Sequence, residues 1–156
     1  MWEEMSCGDL SEINDLARLI WGKEFYESPE VFEEKYWRWP WGCFVYRDGP
    51  CVLGYAFSHP WYKMNPPRLN QKLGTTAGAN TYHIHDIALL PGLRGKGLLK
   101  QVMPLIELQG KKFGSMSLVG VNNSRSIWEK YRFQTVPNLD VSQYCESAVY
   151  MIKQFD

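Results

Sequence analysis

The chain has 156 residues, with 17 basic and 17 acidic side chains and no formal net charge. That length suits a single domain over 1–156 with a substantial core. The absence of a basic excess argues against a nucleic-acid partner, and no run approaches the roughly 20 apolar residues that span a bilayer, so no membrane partner is expected either.

The opening Met-Trp-Glu-Glu-Met has neither the basic nor the apolar region of a secretion signal, so a cytoplasmic or nuclear location is expected. Cys7, Cys43, Cys51 and Cys145 are scattered without a Cys-x-x-Cys pair. This spacing suggests neither a zinc site nor a disulfide framework, and no metal is expected. A monomer or a homodimer is the expected state.

Asp9 followed by Glu12 has the spacing of a capping box, and Leu10, Ile13, Leu16, Ala17 and Ile20 then recur at helical intervals, which predicts a helix over 9–21. Ser28-Pro29 supplies an N-cap with Pro at the first helical position of a second helix that ends before Pro40. Residues 44–47 and 52–58, split by Asp48-Gly49-Pro50, predict a hairpin. The 59–80 stretch, rich in Pro and Asn, predicts a long connection, and Trp61 and Tyr62 favour an ordered one.

Residues 82–90 predict a strand on which His83, His85, Ile87 and Leu89 share one face and Asp86 takes the other. Arg94-Gly95-Lys96-Gly97 then turns into a helix to about 112, with Pro104 inside it and a kink expected there. A strand at 115–121, a short helix at 124–131 and strands near 132–136 and 145–154 complete the series. The expected class is α/β (α+β), a mixed and mostly antiparallel sheet flanked by helices.

The 94–100 segment has the chemistry of an anion site. Gly95 and Gly97 let the backbone approach a ligand, the first helical turn offers free N–H groups, and Arg94, Lys96 and Lys100 add positive charge. This segment resembles motif A of the GNAT acetyltransferases, Arg/Gln-x-x-Gly-x-Gly/Ala, which binds the pyrophosphate of acetyl-coenzyme A. Arg94 and Gly97 fit the pattern, while Leu99 replaces its final Gly or Ala. Residues 123–133, Asn123-Ser-Arg-Ser-Ile-Trp-Glu-Lys-Tyr-Arg-Phe, resemble the family's motif B helix, Tyr/Trp-x-x-x-Gly-Phe, with Arg132 in place of Gly.

The resemblance implies a GNAT fold and acetyl-CoA as cosubstrate. It places Arg94, Gly95, Lys96, Gly97, Leu98, Leu99 and Lys100 at the pyrophosphate, and Asn123 and Trp128 beside the coenzyme. It also implies that Ile87, Ala88 and Leu89 pair their backbone with the pantetheine arm, the Leu89 N–H facing the thioester oxygen and stabilising its oxyanion.

An amine acceptor is protonated at neutral pH, so a base must first take its proton. His83-Ile-His85 resembles the paired strand histidines of the aralkylamine (serotonin) N-acetyltransferases, which implies His85 as the base and His83 as the second choice. Trp128 stands where the family commonly has a Tyr that protonates the leaving thiolate, and an indole cannot deliver a proton. Tyr131 is the substitute expected on the same helix.

Aromatic residues Trp21, Phe25, Tyr26, Phe32, Tyr36, Trp37, Trp39 and Trp41 either line an acceptor pocket or belong to the core. The expected activity is acetyl transfer from acetyl-CoA directly to a primary amine, with arylalkylamine, polyamine and peptide amines open. The alternatives are a coenzyme A-binding regulatory module without turnover, and a nucleotide-phosphate binder of unrelated fold, which leaves the motif B likeness unexplained.

Overall fold

The computed structural model describes residues 1–156. In chain order the elements are β1 (Trp2–Glu4), α1 (Leu10–Trp21), α2 (Pro29–Arg38), β2 (Cys43–Asp48), β3 (Cys51–Trp61), β4 (Thr81–Leu89), α3 (Leu98–Gly110), β5 (Ser115–Gly120), α4 (Arg125–Glu129), β6 (Gln134–Thr135) and β7 (Val149–Gln154). The seven strands form one sheet in the order β1-β2-β3-β4-β5-β7-β6. Every pairing is antiparallel except β4 with β5.

Helical spacing dictates which faces are buried. Ile13, Leu16 and Ala17 of α1 and Phe32 of α2 pack with Val45, Val52, Tyr55, Phe57 and Ala88 on one side of the sheet. Val102, Met103 and Ile106 of α3 pack with Tyr82, Ile84, Met116 and Leu118 on the other, where Trp128 and Tyr131 also rest.

Several local expectations change. The Asp9 carboxylate accepts the N–H of Ser6 at 2.8 Å, so the capping box is Ser6–Asp9 around a 3-10 turn. Glu12 instead accepts the Val52 N–H at 3.0 Å. The 59–80 connection starts later than predicted, because β3 continues through His59, Pro60 and Trp61. Pro60 is tolerated there because β2 has already ended opposite Phe57, leaving that edge of β3 unpaired. Helix α3 runs through the exposed Pro104 as one element.

Two departures from regular pairing shape the functional region. Between β3 and β4, Phe57 pairs with Asp86 and Ser58 with Ile84, so His85 is the extra residue of a β-bulge. Between β4 and β5 the parallel ladder covers only Tyr82–Ile84 against Met116–Leu118. Beyond it β4 stays with β3 while β5 stays with β7 to its end at Gly120. The two central strands therefore part in a wedge, and residues 86–89 carry an unpaired edge.

Candidate functional site

At the top of the wedge, β4 passes through a 3-10 turn at Pro91–Leu93 into Arg94-Gly95-Lys96-Gly97 and α3. Gly95 and Gly97 stand at φ 76° and 77°, in the left-handed region, with open space where a Cβ would lie. The turn is exposed, as are Arg94, Lys96 and Lys100, and Leu98 to Lys100 form the first turn of a 13-residue helix. Free N–H groups, a helix dipole and three cations together fit a pyrophosphate. Leu99 is half-buried against the α3 side of the core, so its side chain lies away from the open face of the turn.

The opposite wall begins at the end of β5. Asn122 and Asn123, both with positive φ, turn the chain into α4. Trp128 comes within 3.5 Å of the position a Cβ on Gly120 would occupy, so it lies at the point where β5 leaves β4. Tyr131 sits 6.3 Å from Trp128 between ring centroids and is half-buried; burial and the charge of Glu107 raise its hydroxyl above the usual tyrosine value, so it stays protonated.

On the α1–α2 side of the sheet the bulge gathers a set of buried ionisable groups. His85 Nε2 lies 2.5 Å from Glu27 Oε1, with side-chain exposures of 1% and 4%. His83 Nδ1 lies 2.9 Å from Ser117 Oγ. His59, directly opposite His83 on β3, has ring centroids 5.7 Å from His83 and 6.0 Å from His85, and its Nδ1 is held by the Pro60 carbonyl. Asp86 accepts a 2.6 Å hydrogen bond from the Tyr55 hydroxyl, which in turn accepts one from Trp21 Nε1. Three nitrogens of this group are left without a protein partner: Lys35 Nζ, His59 Nε2 and His85 Nδ1.

Burial sets the charges. It lowers the pKa of His59 and His83 well below the usual histidine value, and of His85 below it as well, although Glu27 pulls His85 back up. All three imidazoles are therefore neutral at neutral pH. Burial opposes ionisation of Glu27, yet His85, Lys35 and the Asn70 N–H more than offset it and hold its carboxyl down at about 2. Burial lifts Asp86 to about 7.

The family model for the acetyltransferase (GNAT) family matches residues 10–130. The chain belongs to the GNAT acetyltransferase family. No curated protein matches it. Solved structures match along its whole length. PH1933 from Pyrococcus horikoshii OT3 is 18% identical with a TM-score of 0.72, covering 100% of this chain and 98% of that one. Ard1 from Thermoplasma volcanium is 16% identical, TM-score 0.73, covering 100% and 97%. The NatC complex bound to Gag peptide and CoA includes a chain 16% identical, TM-score 0.72, covering 100% and 98%. At these identities the likeness is one of fold.

The GNAT bulge corrects the predicted faces of β4. Asp86 lies on the same side as His83 and His85, because the extra residue reverses the alternation, and Ile87 and Leu89 pack with the α3 core on the other side. Ala88 belongs to the α1–α2 core. The predicted coenzyme residues of β4, the 94–100 turn, Asn123 and Trp128 border the wedge, whereas Tyr131, expected on the same helix as Trp128, lies in the turn past the end of α4, toward Glu107. Arg132, at the GNAT glycine position, has φ 69°, and the N–H groups of Tyr131 and Phe133 both bond the Trp128 carbonyl, the reversal of a helix end that Gly makes without strain.

The aromatic series does not form one pocket. Phe32 is core, Trp39 packs on Phe113 across the sheet, and Trp37 and Trp41 are exposed. Trp21 and Phe25 instead meet Tyr144 and Tyr150 in a separate cluster. Three residues of the buried group escaped the sequence reading. Lys35 follows Val31 and Phe32 at helical spacing, which marks the buried face of α2. His59 continues the two-residue period of Tyr55 and Phe57. Glu27, between helices, carries no such signal. No group of His, Cys, Asp or Glu is arranged to hold a metal ion, and no helix is long and apolar enough to cross a membrane.

Proposed function

We propose that the protein transfers acetyl from acetyl-CoA directly to a primary amine, with His85 as the base. The observation that carries this reading is the unpaired edge of β4, with the anion turn at one end and the bulged His85, gripped by Glu27, at the other. The coenzyme supplies the activated acetyl group. The 94–100 turn binds its pyrophosphate, and the free backbone edge at 86–89 aligns the arm.

His85 donates Nε2–H to Glu27 and keeps the lone pair on Nδ1, which takes the proton of the amine directly or through one water. His83, engaged with Ser117, is the second candidate. Tyr131 is protonated and supplies the thiolate's proton, unless the thiolate leaves unprotonated. The cluster of Trp21, Phe25 and Tyr144, in which Tyr144 feels the charge of Glu27, supports an acceptor with an apolar body such as an arylalkylamine; polyamine and peptide amines are its competitors.

The test is release of free thiol from acetyl-CoA across an amine panel. His85→Ala is expected to cut turnover on the order of 10²-fold near neutral pH and less near pH 9, where more of the amine is already neutral. A loss that is flat across pH overturns the base assignment. Coenzyme binding without thiol release for any amine favours the module without turnover, a reading motivated by Trp128 at the acid position.

A further inference from the structure

We propose that Glu27 is a positioning residue for His85 and that its carboxylate couples the imidazole to the seating of the 62–80 loop. The inference rests on the base reading above and extends it to a residue in the connection between α1 and α2. Glu27 is 6% exposed and both of its oxygens are engaged. Oε1 meets His85 Nε2 at 2.5 Å, and Oε2 accepts the Asn70 N–H at 3.0 Å. Asn70 closes the connection from the other direction, its Oδ1 accepting the Ser28 N–H at 2.7 Å. One carboxylate thus joins the bulge of β4 to the loop backbone.

Only a carboxylate accepts from both partners on separate oxygens, since an amide has one acceptor oxygen and an NH2 that would donate to the ring rather than accept its Nε2–H. With the ring proton committed to Glu27 on Nε2, the lone pair is directed to Nδ1, which has no protein partner. Lifting the loop removes the Asn70 N–H and leaves a buried carboxylate oxygen unsatisfied. The position of the loop and the state of the imidazole are therefore linked. The other ionisable groups facing this pair are Lys35 from α2, Tyr55 and His59 from β3, His83 and Asp86 from β4, and Tyr144 before β7.

The test begins with NMR titration of the protein's three histidines in the wild type and in Glu27→Gln. The His85 midpoint is expected to move to lower pH in the variant, because the carboxylate favours the imidazolium. Amide exchange at Asn70 is expected to quicken on the order of tenfold. An unmoved His85 midpoint or unchanged Asn70 exchange in a folded Glu27→Gln overturns the proposal.

Asn70→Gly provides a second arm that leaves the buried carboxylate in place. Asn70 is exposed at φ 57°, which Gly adopts freely, so the variant deletes only the clamp on Ser28. It is expected to lower kcat several-fold, with acetyl-CoA affinity unchanged and with no further loss in a His85→Ala background. Unchanged kcat, or a loss that persists without His85, overturns the coupling. If the base reading alone fails, His85→Ala keeps full turnover while the titration and exchange effects of Glu27→Gln remain.

Discussion

Asp86 and Glu27 sit in one buried group and their pH dependences oppose each other. The folded-state pKa of Glu27, about 2, lies below its ordinary 4.5, so its contribution is present above 4.5 and lost as pH falls toward 2. That of Asp86, about 7, lies above its ordinary 3.8: the folded protein holds a proton that the unfolded chain has released, and stability declines as pH rises from 3.8 through 7. The histidines act in the opposite sense, because His59, His83 and His85 are held below their ordinary 6.5 and lose protons on folding, so their contribution to stability grows as pH rises to 6.5. Asp86→Asn keeps an acceptor for the Tyr55 hydroxyl but removes the decline, so the melting temperature of the variant relative to the wild type is expected to be higher near pH 8 than near pH 5. Calorimetry at a series of pH values checks this, and a difference that does not change with pH assigns the decline to other groups.

At the scale of elements, the turn from β4 into α3 depends on backbone conformation. At φ 77° Gly97 leaves the N–H groups of the first helical turn facing open space. Gly97→Ala adds a strain of roughly 1–2 kcal/mol but no charge. Gly97→Glu adds the same strain and places an anion at the mouth of the proposed pyrophosphate site. Acetyl-CoA binding by calorimetry should be weakened in the Ala variant and lost in the Glu variant, with the circular dichroism of both unchanged. Equal affinities for the two variants would remove the pyrophosphate from this turn.

At the scale of the whole molecule, the 62–80 loop is tied to distant parts of the chain. The Met64 N–H donates to the Tyr150 hydroxyl at 3.1 Å and the Tyr144 hydroxyl donates to the Pro67 carbonyl, while within the loop the Tyr62 hydroxyl donates to the Ala77 carbonyl at 2.7 Å. Glu34 accepts the N–H groups of Leu73 and Gly74. These ties hold the loop beside Glu27 and the aromatic cluster, on the opposite face of the sheet from α3. Tyr62→Phe and Trp61→Ala should therefore change relative rates across an amine panel and leave acetyl-CoA affinity within about threefold. Unchanged relative rates would take the loop out of acceptor selection.

The sequence by itself determined the parts whose chemistry is local. The glycines and cations of 94–100, the helical spacing of Ile13, Leu16 and Ala17, and Pro29 after Ser28 each depend on a few neighbouring residues, so the α/β architecture and the glycine turn that opens α3 could be read directly. Tertiary structure decided where alternation breaks. A single extra residue at His85 turned Asp86 toward the histidines and Ile87 away from them, because a bulge depends on what β3 offers opposite, and β3 is remote in sequence. It also decided that Glu27 would meet His85 across 58 positions. No local pattern encodes such a pairing, since it forms only when α1 and α2 pack on the sheet and withdraw both groups from water.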